Sequence, residues 1–291
     1  MRNESRPTIL VPVDFSEQSL IALRQSFNLA RFTRSGLLLM YVIDKAILDT
    51  FGRFFKDEAY EDPLRDRIQE KLDKLAADTQ SETGIRVNTS IRKGKVYEEI
   101  VQVSMLEDVK FIIMGTHGAM GLKRFIGSNA MRVIKEAECP VITIKGKDHK
   151  RGCKQIVLPL DLTKETKEKV GKAVEIARFF NASIHVVSVI ESDDEFLINK
   201  LTRQLHHVAA VIKKQGIDTE SELIHASDVP EAVIDYSEKI NADLIIIMTQ
   251  QEIYWTELFI GFAAQEIINH SAIPVLSVRP SMKHKVEFVL S

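Results

Sequence analysis

The chain has 291 residues, with 39 Lys and Arg against 41 Asp and Glu, a formal charge of -2 and a pI near 6.5. That balance gives no global field toward nucleic acid or an acidic membrane surface. Hydrophobic residues at 45% and charged residues at 27% suit full globular cores, and no apolar run approaches the ~20 residues that span a bilayer.

The amino-terminal stretch MRNESRPTILVPVDFSEQS lacks the apolar core of a secretory signal. Cys139 and Cys153 have no CxxC spacing. The expectation is a cytoplasmic protein with reduced thiols and no metal site. Thr8-Ile9-Leu10-Val11-Pro12-Val13-Asp14 reads as a strand ending in a carboxylate. Ser16 is the N-cap candidate of a helix in which Leu23, Phe27 and Ala30 share a face. Leu37 to Val42 is apolar without alternation, as in a strand covered on both faces.

The segment Lys45 to Asp62 places Phe51, Phe54, Phe55 and Tyr60 beside charges, and both a flap over a cleft and a partner surface are open readings. A helix from near Leu64 and a strand near 85–92 come next. Arg92-Lys93-Gly94-Lys95 reads as a solvated loop, with an extended positive field as its alternative. Strands follow near 109–115 and 140–145, separated by a glycine-rich segment and a helix. The basic run Lys145 to Lys154 reads as a solvated linker.

The pattern then repeats. Gln155-Ile156-Val157-Leu158-Pro159-Leu160-Asp161 matches the first strand at an offset of 147, with Thr163 as cap and Val170, Val174 and Ala177 on one helix face. Later blocks match at 134: Phe111 to Met114 with Ile245 to Met248, Phe125-Ile126-Gly127 with Phe259-Ile260-Gly261, and Cys139 to Ile142 with Ile273 to Leu276. The second set of strands falls near 155–160, 183–190, 219–225, 243–249 and 274–279.

The fold class is therefore α/β: two tandem, doubly wound, five-stranded parallel-sheet domains over residues 1–147 and 153–282. The tail 283–291 alternates like a short strand through Val286 to Leu290. Ligands in such sheets bind beyond the carboxyl ends of the strands, where the strand order reverses. Asp14 and the glycines after the fourth strand are thus candidates to meet.

That segment runs from Met114 through Gly115, His117, Gly118, Gly121, Lys123, Arg124, Gly127 and Ser128 to Asn129, with four glycines in 13 residues. Glycine lets main-chain amides approach an anion with no Cβ in the way. The following helix adds its N-terminal donors, Ser128 a hydroxyl, and Lys123 with Arg124 counter-charge. His117 can contact a phosphate or merely shape the turn. Neither a P-loop string nor the GxGxxG fingerprint is present.

Pro12-Val13-Asp14-Phe15-Ser16, Gly115-Thr116-His117-Gly118, Gly127-Ser128 and Cys139-Pro140-Val141 together resemble the universal stress protein family in order and placement. The resemblance spans both halves. It implies frequent dimerisation and, in one subgroup, ATP binding through G-x2-G-x9-G-[ST]. Carried over, Gly115, Gly118, Gly127 and Ser128 hold the phosphates, and Asp14 and Val42 face the nucleoside, where Asp14 can accept from ribose hydroxyls. Pro12, Val13, Met114, His117 and Asn129 complete the candidate nucleotide-binding residues. The chain has eight residues between Gly118 and Gly127 where the family pattern has nine.

On the 134 offset the second half substitutes Thr249 for Gly115, Glu252 for Gly118, Trp255 for Gly121, Glu257 for Lys123, Leu258 for Arg124 and Phe262 for Ser128. A carboxylate about 4 Å from a phosphate costs several kcal/mol at an effective dielectric near 20. ATP, with or without Mg2+, is thus expected in the amino-terminal domain alone. The apolar loop Ile253-Tyr254-Trp255 with Phe259 reads either as a contact surface for the other domain, a second subunit or an apolar ligand, or as a plug over its own sheet. His206-His207 reads as a surface pair.

The leading expectation is a nucleotide-responsive binding protein, dimeric and with an unidentified protein partner. A nucleotide-independent scaffold is the alternative. A slow ATPase or adenylating enzyme is third, since no SGGxDS-type loop and no nucleophile–base pair stands near the glycines.

Overall fold

The computed structural model describes residues 7–45, 61–106, 108–116, 126–146, 152–161, 166–249 and 261–279. The expectations for His117, Gly118, Gly121, Lys123, Arg124, the aromatics of the 45–62 segment, Thr163, Trp255 and the tail fall on residues outside these. The first half runs β1 (Thr8–Pro12), α1 (Glu17–Thr33), β2 (Gly36–Asp44), α2 (Glu61–Thr83), β3 (Val87–Gly94), α3 (Val96–Leu106), β4 (Val109–Gly115), α4 (Ser128–Glu136) and β5 (Val141–Ile144). The second runs β6 (Gln155–Pro159), α5 (Thr166–Phe180), β7 (Ser183–Ile190), α6 (Glu195–Lys214), β8 (Thr219–His225), α7 (Val229–Lys239), β9 (Leu244–Met248), α8 (Phe262–His270) and β10 (Val275–Val278).

Each half orders its strands 3-2-1-4-5, all parallel, as the alternating pattern requires. Ile9, Leu10, Val11, Leu39 and Met40 are fully buried because helices cover both faces. Each such side chain contributes about 1.5–3 kcal/mol on leaving water. On α1, Leu23 and Ala30 are buried, with Phe27 packed against the same cluster; on α5, Val170, Val174 and Ala177 do the same.

The two sheets are not separate. β5 and β10 pair antiparallel, Ile142 opposite Leu276, and fuse the halves into one ten-stranded sheet. One face carries α1 and α5 together, so the halves are related by a pseudo-two-fold axis normal to the sheet. Two basic side chains clasp the join. Lys145 Nζ donates to the Asn269 carbonyl near the end of α8, and Arg279 Nη1 donates to the Glu136 carbonyl at the end of α4, 3.2 Å away. Each cation sits at the negative end of the opposite half's helix. Lys145 is therefore partly buried and structural, not part of a solvated linker.

The internal comparison shifts by one residue at the fourth strand. Thr116 N donates to Ile144 O at 3.0 Å, and the equivalent bond runs from Thr249 N to Val278 O at 2.9 Å. The turns before these strands place Asp108 and Asn241 at φ 49° and 53°. Phe111 and Ile113 share a face with Leu244 and Ile246, while Ile112 and Met114 share the other with Ile245 and Ile247. The counterpart of Gly115 is thus Met248 rather than Thr249. The second half has one more residue than the first between this strand and its glycine N-cap, Gly261.

Candidate functional site

At the carboxyl edge of the first half the chain leaves β1 through a braced turn. Val13 N donates to Met40 O at 2.8 Å, prolonging the β1–β2 pairing. Asp14 Oδ1 then accepts from Ser16 N at 3.0 Å and from Ser16 Oγ at 2.5 Å. Ser16 Oγ in turn accepts from Ser19 N at 3.3 Å, so Ser16 is the N-cap of α1 and Asp14 holds it in place. Phe15 between them takes φ 62°, a conformation that crowds a Cβ and that the local bonding enforces. Its ring stacks on Tyr41 at 5.5 Å, with Lys71 Nζ 5.9 Å from its centroid. Burial, and then the Asp14 charge, push the Tyr41 phenol up.

The glycine segment leaves β4 and returns to the same point. Thr116 is 2% exposed, and its carbonyl accepts the Gly127 amide hydrogen at 2.6 Å. Two glycines make this approach possible: a Cβ on Gly115 would lie 3.0 Å from Gln18 main-chain atoms, and one on Gly127 would lie 3.2 Å from Thr116 O. Gly127 is the N-cap of α4 at φ -62°, ψ 145°, with no side-chain cap bond. The first-turn amides of α4 therefore face the cleft edge with the dipole's positive end.

Of the candidate residues, the structure gathers Pro12, Val13, Asp14, Val42, Met114, Gly115, Gly127, Ser128 and Asn129 on this edge. Val13 and Met114 are 3% and 6% exposed and pack into the cores of opposite faces, so only their main chains are offered to a ligand. Ser128 is exposed and Asn129 half-buried.

Arg92 belongs to β3 rather than to a loop, directly opposite Val42. Its Nε is buried without a hydrogen-bond partner, an unmet donor of the kind that calls for a ligand or explanation. The charge run flagged Arg92, and the strand boundary hid its placement. Along the edge the order is Arg92, Val42, Asp14, Gly115.

In the second half the same edge is filled from within. Lys169, 8% exposed, sends Nζ 3.0 Å to Pro159 O at the end of β6, where the first half has Ala22 on the helix. Gln204 Nε2 donates to Asp161 O at 2.9 Å. Met248 stands for Gly115, and Phe262, 75% exposed, stands for Ser128. The buried lysine has no signature in the glycine comparison. Among the described residues no group of His, Cys, Asp and Glu is placed to hold a metal ion, and no helix is long and apolar enough to cross a membrane.

A tandem pair of doubly wound α/β units, with a glycine N-cap and a strand-end carboxylate on the same edge of the first half, defines a two-repeat class of parallel-sheet α/β proteins. The universal stress protein family model matches residues 6–145 and again 152–279, and the chain belongs to that family. It is 33% identical over 138 residues to universal stress protein MJ0531 of Methanocaldococcus jannaschii, covering 47% of this chain and 81% of the relative. To MJ0577 of the same organism it is 31% identical over 154 residues, covering 48% of this chain and 95% of that one. Each of these relatives thus corresponds to about half of the chain.

Over the whole length it resembles a solved universal stress protein from Archaeoglobus fulgidus, with a TM-score of 0.75, 21% identity, and 94% and 97% of the two chains covered. A structure from Pseudomonas aeruginosa aligns with a TM-score of 0.68 at 18% identity, covering 95% and 94%. At these identities the likeness speaks to the fold alone.

Proposed function

We propose that the amino-terminal half binds ATP along its carboxyl edge and that the protein works as a nucleotide-responsive binding protein. The observation that carries this reading is the closure of Thr116 on Gly127, which sets an uncapped helix N-terminus beside Gly115 and within one strand of Asp14. Phosphates lie against the α4 amides and Ser128, the ribose reaches Asp14, and the base lies over Val42 with Arg92 Nε as a donor to it. Occupancy alters function through unequal affinity for two arrangements of the loop.

The second half takes no nucleotide in this reading, because Lys169 and Gln204 occupy its edge and the glycine that ends the fourth strand is replaced by Met248. Any homodimer uses surfaces other than β5 and β10, since those edges cover each other; among the described residues the terminal strands of the sheet are β3 and β8.

Titration calorimetry of the full chain with Mg-ATP tests the proposal. One saturable site per chain, weakened about tenfold or more by Asp14→Ala and by Gly127→Val, is the expected result. No heat at high micromolar ligand overturns nucleotide binding and leaves the scaffold reading. Two sites per chain overturn the restriction to the first half.

A further inference from the structure

The second half reaches into the glycine segment of the first. Ile126, the residue before the Gly127 N-cap, donates its amide hydrogen to Asn269 Oδ1 at 3.2 Å. Asn269 lies in the last turn of α8 and is 5% exposed. Its amide orientation follows from its partners: Nδ2 donates to Glu266 Oε1 at 3.3 Å, so the oxygen must face the Ile126 amide. The Asn269 carbonyl is itself held by Lys145 Nζ, from the residue that follows β5. The exit of the loop is thus tied to α8, one residue before the amide that closes onto Thr116.

We infer that Asn269 is a positioning residue for the N-terminus of α4, so that the carboxy-terminal half governs how firmly Gly127 is held against Thr116. The affinity part of this inference rests on the reading given under Proposed function. The acceptor is not repeated in the first half. At the symmetric position α4 carries Lys135, whose ammonium has three donors and no acceptor and cannot receive a main-chain amide hydrogen. The repeat that has lost its glycines therefore supplies the acceptor, and the repeat that kept them receives it. Without Oδ1 the Ile126 amide loses a partner at the rim of a buried join, and the loop exit gains freedom that a bound anion must then remove.

The test uses the full chain with Asn269→Leu, which keeps the shape and removes the acceptor, and with the double variant Asn269→Asp, Glu266→Gln. The double variant keeps an acceptor for Ile126 and reverses the donor and acceptor within α8. Two readouts are taken: amide hydrogen exchange at Ile126 and Gly127, compared with amides of β1, and Mg-ATP affinity. Asn269→Leu is expected to speed exchange at both amides about tenfold and to weaken ATP about tenfold, the scale of one buried hydrogen bond. The double variant is expected to restore both. If Asn269→Leu does not fold, Asn269→Ser, too short to reach Ile126, takes its place with the same expectation. Wild-type exchange and affinity in the single variant, or a double variant as loose as the single one, overturn the inference. Should the wild type bind no nucleotide, the functional reading falls, and the exchange comparison alone decides this one.

Discussion

Gly115 brings the end of β4 so close to Gln18 in the first turn of α1 that a Cβ would stand 3.0 Å from the Gln18 carbonyl carbon and oxygen. The contact couples the glycine segment to the turn that presents Asp14, because Gln18 follows Ser16 by two residues. Gly115→Ala is expected to force these elements apart and cost about 1–3 kcal/mol, read as a lower urea midpoint with an unchanged m-value. Gly171, exposed on α5 where an added Cβ would meet nothing within 4 Å, is the counter-case. Gly171→Ala should raise stability by about 0.5–1 kcal/mol through helix propensity. Equal effects of the two substitutions would remove the steric argument.

A pH effect is expected from the buried histidine of β7. His185 Nε2 donates to Gln155 Oε1 at 2.5 Å, and Nδ1 accepts from the Tyr236 hydroxyl at 3.3 Å, which satisfies a neutral ring. Burial lowers the His185 pKa from its ordinary 6.5, against the opposing pull of Glu220 and Glu222. Burial, then those same carboxylates, push the Tyr236 phenol up to about 12. Because the folded state disfavours the protonated ring, the unfolded chain binds more protons as pH falls below about 6.5. The stability present at neutral pH should therefore be lost progressively on acidification through that point. Chemical denaturation from pH 7.5 to 5 should show a steeper decline for the wild type than for His185→Asn. Parallel curves would sink this assignment.

Both thiols should be slow to react. Burial raises the Cys139 pKa to about 11 and raises that of Cys153 further still, so little thiolate exists at neutral pH. In the native chain a disulfide-exchange reagent is expected to label both far more slowly than in denaturant. Labelling at the rate of a free thiol would show that either residue is accessible.

Most of the fold was legible because strand identity rests on apolar runs, and Thr8 to Pro12, Gly36 to Asp44 and Ser183 to Ile190 carry them plainly. The slip at the fourth strand has a physical cause. Ile245-Ile246-Ile247 offers the same residue at three successive positions, so similarity cannot fix register, whereas a one-residue shift sends every side chain to the opposite face. The β5–β10 pairing was not legible, since short strands such as Val141–Ile144 and Val275–Val278 do not name their neighbours. At the site, the glycines and Asp14 announced themselves by type and position. Asn269 and Lys169 did not, because an acceptor on a distant helix and a lysine on an amphipathic face look ordinary until the chain brings them to an edge.

The antiparallel seam between β5 and β10 gives the molecule a polarity. Because the strands of the two halves run in opposite directions, their mouths open on opposite sides, and no small molecule can bridge them. A macromolecule gripping the first mouth would meet the blunt rear of the second repeat alongside it. Signals between the repeats must then travel through the seam itself, where the clasping cations and the asparagine tie lie.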